Sequence, residues 1–219
     1  MLTKIGGAES IRNHAKNFLV IAAFFAFGFA GAPENAWAAA VIGEPAPAFT
    51  GTDSRSRSVS LEDFRGSIVV LEWTNHDCPF VRRHYESGNM QKLQRQAEER
   101  GIVWLSIVSS APGEQGFLNG KQADELTSRR GAAPRAVILD PSGDIGRTYA
   151  AKTTPHMFVV DAAGTLVYMG AIDDQPRNMG ADPARARNYV RDTIEALAAD
   201  QPVPTPISQP YGCSIKYRS

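Results

Sequence analysis

Cysteine is scarce in this chain: its 219 residues carry two, Cys78 and Cys213. Two thiols leave a single possible internal pairing, and in an oxidising compartment that pairing is either a permanent staple or a working redox couple. Charge of one sign is missing too, with 23 Lys and Arg against 23 Asp and Glu. Such a balance gives no electrostatic case for nucleic acid or an acidic membrane as partner. A bilayer-spanning run is also absent, because the apolar stretch at 18–30 falls short of the ~20 residues that cross a hydrocarbon core. No internal repeat or low-complexity segment occurs.

What is present begins with an address. Lys4, Arg12 and Lys16 precede the apolar stretch, and Gly31-Ala32-Pro33 and the small-residue triplet Ala36-Trp37-Ala38 follow it. This order reads as a signal peptide over residues 1–38, with cleavage expected after Ala38 or, second, after Ala40. The expectation is an exported, periplasmic protein with no integral membrane segment in its mature chain. Losing Lys4, Arg12, Lys16, Glu9 and Glu34 leaves 20 basic and 21 acidic residues, so the mature chain stays near neutral. Its roughly 180 residues suffice for one core.

The chain is organised around residues 68–85. Ile68-Val69-Val70-Leu71-Glu72-Trp73-Thr74 has strand length and composition, and Cys78-Pro79 opens a helical pattern. Proline suits the first helical position, which puts Cys78 at the N-cap. There the free N–H groups and the helix dipole favour thiolate over thiol, with Arg82 and Arg83 adding positive charge one turn on. The alternative is a buried cysteine acting as apolar filler. Val81 and Tyr85 share one helix face; Ser87-Gly88-Asn89 predicts a kink or restart before Met90, Leu93 and Ala97.

Around this centre, residues 41–49 read as extended because of their prolines, residues 51–60 as a loop or hairpin, and Ser60 as the cap of one helical turn. Residues 102–108 have the pattern of a strand buried on both faces. A short helix is expected at 121–130, a strand at 136–139, another short helix at 144–151 and a hairpin across Ala162-Ala163-Gly164. Asp182-Pro183 predicts the start of a last helix with Ala186, Val190, Ile194 and Leu197 inward. Four prolines from Pro202 to Pro210 then hold residues 201–219 as an arm that delivers Cys213.

The leading segment Gly43 to Phe49, the residues from Trp73 to Val81 around the cysteine, Thr154-Pro155 before a strand, and Val160-Asp161-Ala162-Ala163-Gly164 together resemble the thioredoxin-like redoxins grouped with the alkyl hydroperoxide reductase and thiol-specific antioxidant proteins. The resemblance implies an α/β thioredoxin fold over residues 41–200, a central mixed β-sheet flanked by helices, with the proline-rich arm following. It implies a cis Thr154-Pro155 peptide facing Cys78. It further implies a thiol-dependent oxidoreductase with no cofactor, a protein disulfide or a peroxide as substrate and a thiol as reductant. Two departures stand out. The position three after Cys78 holds Val81 where disulfide-exchanging thioredoxins carry a second cysteine, and the position three before it holds Asn75 where peroxiredoxins carry threonine.

The candidate catalytic residues are therefore Cys78 as nucleophile, Cys213 as resolving thiol, His76 for proton transfer and Arg82 as a tuning charge. Trp73, Asn75, Thr154 and Pro155 are the candidate substrate-binding residues. Two competing readings are a binding module stapled by Cys78 and Cys213 and, third, a copper carrier using Cys78 with His76, His84 and His156.

Overall fold

The computed structural model describes residues 40–176 and 182–218. The expected signal segment lies outside the described residues. Among those described, no helix is long and apolar enough to cross a membrane.

The leading segment is extended, and Gly43 N–H bonds to the Leu166 carbonyl at 2.9 Å. A hairpin of β1 (Thr50–Asp53) and β2 (Ser58–Ser60) follows, then a 3-10 turn at Leu61–Phe64 that Ser60 and Asp63 cap reciprocally. The remaining elements are β3 (Val69–Trp73), α1 (Pro79–Glu86), α2 (Asn89–Glu99), β4 (Val103–Val108), α3 (Gly120–Arg129), β5 (Ala136–Leu139), α4 (Asp144–Thr148), β6 (Thr153–Thr154), β7 (His156–Val160), β8 (Leu166–Gly170), α5 (Tyr189–Ala198) and β9 (Cys213–Ser214).

Seven strands form one mixed sheet in the order β2-β1-β5-β4-β3-β7-β8. β3 runs parallel to β4 and antiparallel to β7, and all five of its residues are buried, as the unbroken apolar run predicts for a strand covered on both faces. Side-chain alternation then sorts the core into two layers. Leu71, Trp73, Phe158 and Val160 point to a layer shared with Ile145 and Tyr149 of the α4 region. Val70, Met157 and Val159 point to the other, shared with Val81 and Tyr85 of α1, Met90 and Leu93 of α2, and Val190 and Ile194 of α5.

The break expected at Ser87-Gly88-Asn89 is present. Gly88 takes φ +75, outside the helical region, and α2 restarts at Asn89. The last helix corrects the sequence reading. Asp182 caps only a 3-10 turn at Pro183–Arg185, since its carboxylate accepts from Ala184 N–H and Ala186 then turns extended (φ −73, ψ 151). Asn188, which accepts from Arg191 N–H at 2.9 Å, is the cap of α5. Ala186 is buried but precedes the helix, and Leu197 is only half-buried.

The C-terminal arm is laid along the domain. Met169 N–H bonds to the Pro206 carbonyl at 3.0 Å, and the Ser208 hydroxyl accepts from Ala171 N–H at 2.9 Å. Further on, Ile215 is buried, Ala111 N–H bonds to the Lys216 carbonyl at 2.8 Å and the Tyr217 hydroxyl donates to the Ala151 carbonyl at 2.8 Å. Tyr217 lies where Gly143 and Gly146 leave room, since a Cβ at Gly146 would come within 2.4 Å of its hydroxyl. Between these anchors β9 pairs antiparallel with β6, Thr154 opposite Cys213 and Thr153 opposite Ser214. Cys213, the candidate resolving thiol, thus sits on a strand docked against the domain.

Candidate active site

The turn that carries Cys78 is built from Asn75. Its side-chain oxygen accepts from Asp77 N–H at 2.9 Å and its carbonyl from Cys78 N–H at 3.1 Å, while its amide donates to the Gln115 carbonyl at 3.3 Å. This Asx turn ends β3 and aims the chain into α1, with Cys78 as N-cap in extended geometry and Pro79 at the first helical position. Asn75 is buried, and Gly116 makes room for it. The residue expected to bind substrate holds the turn.

Cys78 is 0% exposed. As a thiol it donates to the Thr154 carbonyl at 3.1 Å, next to the Thr154-Pro155 peptide, which is cis. Burial alone would push its pKa up; the Cys213 thiol, the Val81 N–H, the Thr154 hydroxyl and the Cys213 N–H all donate toward the sulfur and bring the pKa below that of an ordinary cysteine. The Thr154 hydroxyl meets no partner at ordinary hydrogen-bond geometry, so it is free to turn toward the sulfur. Cys213 moves the other way: burial first, then its bond to Cys78 and the charge there, push its thiol up to about 12. Of the two thiols, Cys78 is therefore the first to give up its proton. Both cysteines are free thiols in this structure.

Gly212 lets the arm come this close. Its φ is +133, and a Cβ there would lie 2.0 Å from the Thr154 carbonyl oxygen. One residue earlier, Tyr211 is clasped by a buried cluster. Its hydroxyl donates to the Asp173 carboxylate and accepts from Arg83 at 3.0 Å, its ring meets Phe80 edge-on at 5.7 Å, and Arg83 reaches Asp173 at 3.1 Å. His84 completes the cluster 3.7 Å from Asp173. Burial, eased by Asp173 and reinforced by Arg83, lowers its pKa to about 4, so it is neutral at pH 7.

Other candidates stand elsewhere. His76 lines a small cavity with Thr74, Tyr85, Leu118 and Arg130, beneath α3, and its Nε2 lies 3.4 Å from Asp77. Arg82 is 55% exposed and pairs with Glu86 at 3.5 Å. Neither side chain is among the largest influences on the Cys78 sulfur. Trp73 is a core residue, stacked with Tyr149 and Phe158 and donating from Nε1 to Ser109 at 3.1 Å. His84 is spent on Asp173 and Asn89, and His156 lies against Phe158 with its rings 4.4 Å apart. Among the described residues no three His, Cys, Asp or Glu side chains stand together as metal ligands.

Four contributors escaped the sequence reading. Tyr211, Arg83's clasp, Gly212 and the Val81 N–H have no local signature, since each acts through a partner distant in sequence or through backbone. Glu72 is a fifth buried group of interest: Trp104 Nε1 (2.8 Å), the Tyr85 hydroxyl (2.9 Å), Ser106 (3.0 Å) and Gln94 (3.3 Å) all donate to it, yet burial still raises its pKa. A charged residue alternating out of register in an apolar run was its one visible signal.

A mixed sheet with a cysteine capping the helix after its central strand, faced by a cis-proline before the neighbouring strand, defines a protein of the thioredoxin fold. The family model of the AhpC/TSA proteins matches residues 42–169, and the chain belongs to that family. The match ends before α5 and the arm. Among curated proteins, the chain is 27% identical over 128 residues to the thiol-disulfide oxidoreductase ResA of Bacillus thuringiensis subsp. konkukian, covering 58% of this chain and 67% of that protein, and equally to ResA of Bacillus cereus. Among solved structures, a hypothetical protein of Sinorhizobium meliloti 1021 superposes with a TM-score of 0.70 at 22% identity, covering 82% of this chain and 96% of that one. An uncharacterised conserved protein of Geobacillus kaustophilus gives 0.68 at 24% identity, covering 81% and 93%.

Proposed function

We propose that the protein is a thiol–disulfide oxidoreductase whose working pair is Cys78 and Cys213, with disulfide-bonded proteins as substrates and a site of action outside the cytoplasm. The observation that carries the reading is the opposite treatment of the two sulfurs in one contact: donors converge on Cys78 and ease its deprotonation, and burial with the neighbouring sulfur opposes that of Cys213. Membership of a thiol-based family and similarity to ResA support it.

In the reducing direction the Cys78 thiolate attacks one sulfur of a substrate disulfide and expels the other as thiolate, leaving a mixed disulfide on Cys78. Cys213 then gives up its proton, attacks the Cys78 sulfur and expels the second substrate thiolate. The substrate gains two electrons, and the protein is left with a Cys78–Cys213 bond for a thiol reductant to open. Because Cys78 is fully buried, the first attack requires residues 211–214 to part from Thr153 and Thr154.

Thiol trapping with mass spectrometry, on the folded protein in graded glutathione buffers, tests the reading. The expected result is a bond between Cys78 and Cys213 that opens at moderate potential. A bond that resists reduction until the protein unfolds would make it a staple, and two thiols that never pair would refute the couple. The same trapping after a small dose of peroxide decides whether peroxides join the substrates. N-terminal sequencing of protein from the periplasmic fraction, expected to begin at Ala39 or Val41, tests the address.

A further inference from the structure

The oxidised form raises a question of access. A thiolate opens a disulfide by approaching one sulfur in line with the S–S bond and expelling the other. Cys78 lies wholly inside the protein, with Val81, Thr154 and the arm around its sulfur. The bond to Cys213 would itself hold the arm down over it. The parting of the arm that admits a substrate to the reduced protein is thus closed to the oxidised one. Cys213, by contrast, is partly exposed, and its neighbour Ser214 is exposed outright. Its backbone is held in place by the pairing to Thr154 and by the close approach of Gly212.

We propose that Cys213 is the sulfur that meets the reductant: an external thiolate attacks Cys213, the bond to Cys78 breaks, and Cys78 leaves as thiolate. This rests on the reading of the two cysteines as a working couple. The electron pair of the S–S bond departs with Cys78, and the incoming sulfur is joined to Cys213 as a mixed disulfide. A second reductant thiolate attacks the reductant's own sulfur in that mixed disulfide, forms the oxidised reductant and releases Cys213, which takes up a proton. Two thiols are oxidised to one disulfide, and the protein recovers two.

Chemistry favours the same order. The better leaving group is the sulfur with the lower pKa, which is Cys78. Three of its four donors, the Val81 N–H, the Cys213 N–H and the Thr154 hydroxyl, do not depend on a free Cys213 thiol, so they still receive the charge as the bond breaks. Cys213 has no comparable set, and its expulsion by attack on Cys78 would place charge on a poorly stabilised sulfur. Cys213 therefore serves both half-reactions, as resolving thiol in one and as the point of contact with the reductant in the other.

The experiment uses the oxidised full-length mature protein, treated briefly with limiting glutathione, quenched in acid, alkylated and mapped by mass spectrometry. The expected result is glutathione on Cys213 with Cys78 alkylated, in excess of the reverse by about tenfold or more. Glutathione on Cys78, or equal amounts on both, overturns the proposal while leaving the redox couple intact. If glutathione never opens the bond in the folded protein, or if no such bond exists, the couple fails and this proposal fails with it.

Discussion

Replacing Gly212 with alanine puts a methyl group where the arm touches the domain most closely. The new Cβ would stand 2.0 Å from the Thr154 carbonyl oxygen and 2.7 Å from its carbonyl carbon, about 1.5 Å short of an optimal contact. Both neighbours are backbone, so no rotamer change relieves the overlap, and φ +133 is itself unfavourable for an L side chain. The β9 strand has to lift off β6. That loses the short ladder, roughly one to two net hydrogen bonds or about 1–3 kcal/mol, and closing the disulfide would force the clash back. The equilibrium constant for closing the Cys78–Cys213 bond against glutathione should fall about 10- to 100-fold, equivalent to about 30–60 mV for a two-electron couple. A glutathione titration reads it, with circular dichroism confirming that the domain remains folded. An unchanged constant in a folded variant would refute the claim that the Gly212 contact holds the two sulfurs together.

Other perturbations follow from the same geometry. Tyr211→Phe removes the hydroxyl between Asp173 and Arg83 and should cost about 1–3 kcal/mol in urea denaturation, with a parallel weakening of the internal disulfide. Arg82→Ala and His76→Ala should leave the glutathione equilibrium within about twofold, since Arg82 is exposed and paired with Glu86, His76 lies beside Asp77, and neither is a major influence on Cys78; a tenfold change in either would contradict the placement of these residues. His156 is held neutral by burial, with Lys152 adding to the effect, and its pKa falls from 6.5 to about 3. Below pH 6.5 the unfolded chain takes up a proton there that the folded protein refuses, so this group's contribution to stability is lost as pH falls from 6.5 toward 3. At pH 5 the loss is about 2 kcal/mol, and His156→Phe should lose that much less stability than the parent between pH 7 and pH 5.

Much of the local architecture was legible before any coordinates. A run of β-branched and aromatic residues became β3, Cys78-Pro79 became the cap and first residue of α1, and the Ser87-Gly88-Asn89 break separated two helices because Gly88 leaves the helical region. What stayed hidden depends on pairings between segments far apart in the chain. Trp73 was read as substrate-binding from its place beside the cysteine, yet β3 alternation turns it into the layer with Tyr149 and Phe158. Closeness in sequence suggests His76 for proton transfer and Arg82 as a tuning charge; in the fold His76 Nε2 lies by Asp77 and Arg82 pairs with Glu86. Val81, noted for standing where a second cysteine is absent, contributes through its N–H, which sequence cannot single out. Asp182-Pro183 gave a true cap signal, and the capped unit closed after three residues because Asn188 offers the better start.

The arm's anchors lie on both sides of its cysteine: Ser208 against Ala171, Tyr211 against Asp173, and Tyr217 over Gly143 and Gly146. Together they work as a ruler. Each can be satisfied only if the number of residues between it and the next is preserved, and along an extended segment a slip of one residue turns a side chain to the opposite side. One residue inserted between Tyr211 and Cys213 would keep every anchor and every cysteine in the composition yet point the sulfur away from Cys78. For this protein, then, spacing within the C-terminal segment carries as much chemical meaning as the identity of the residues in it.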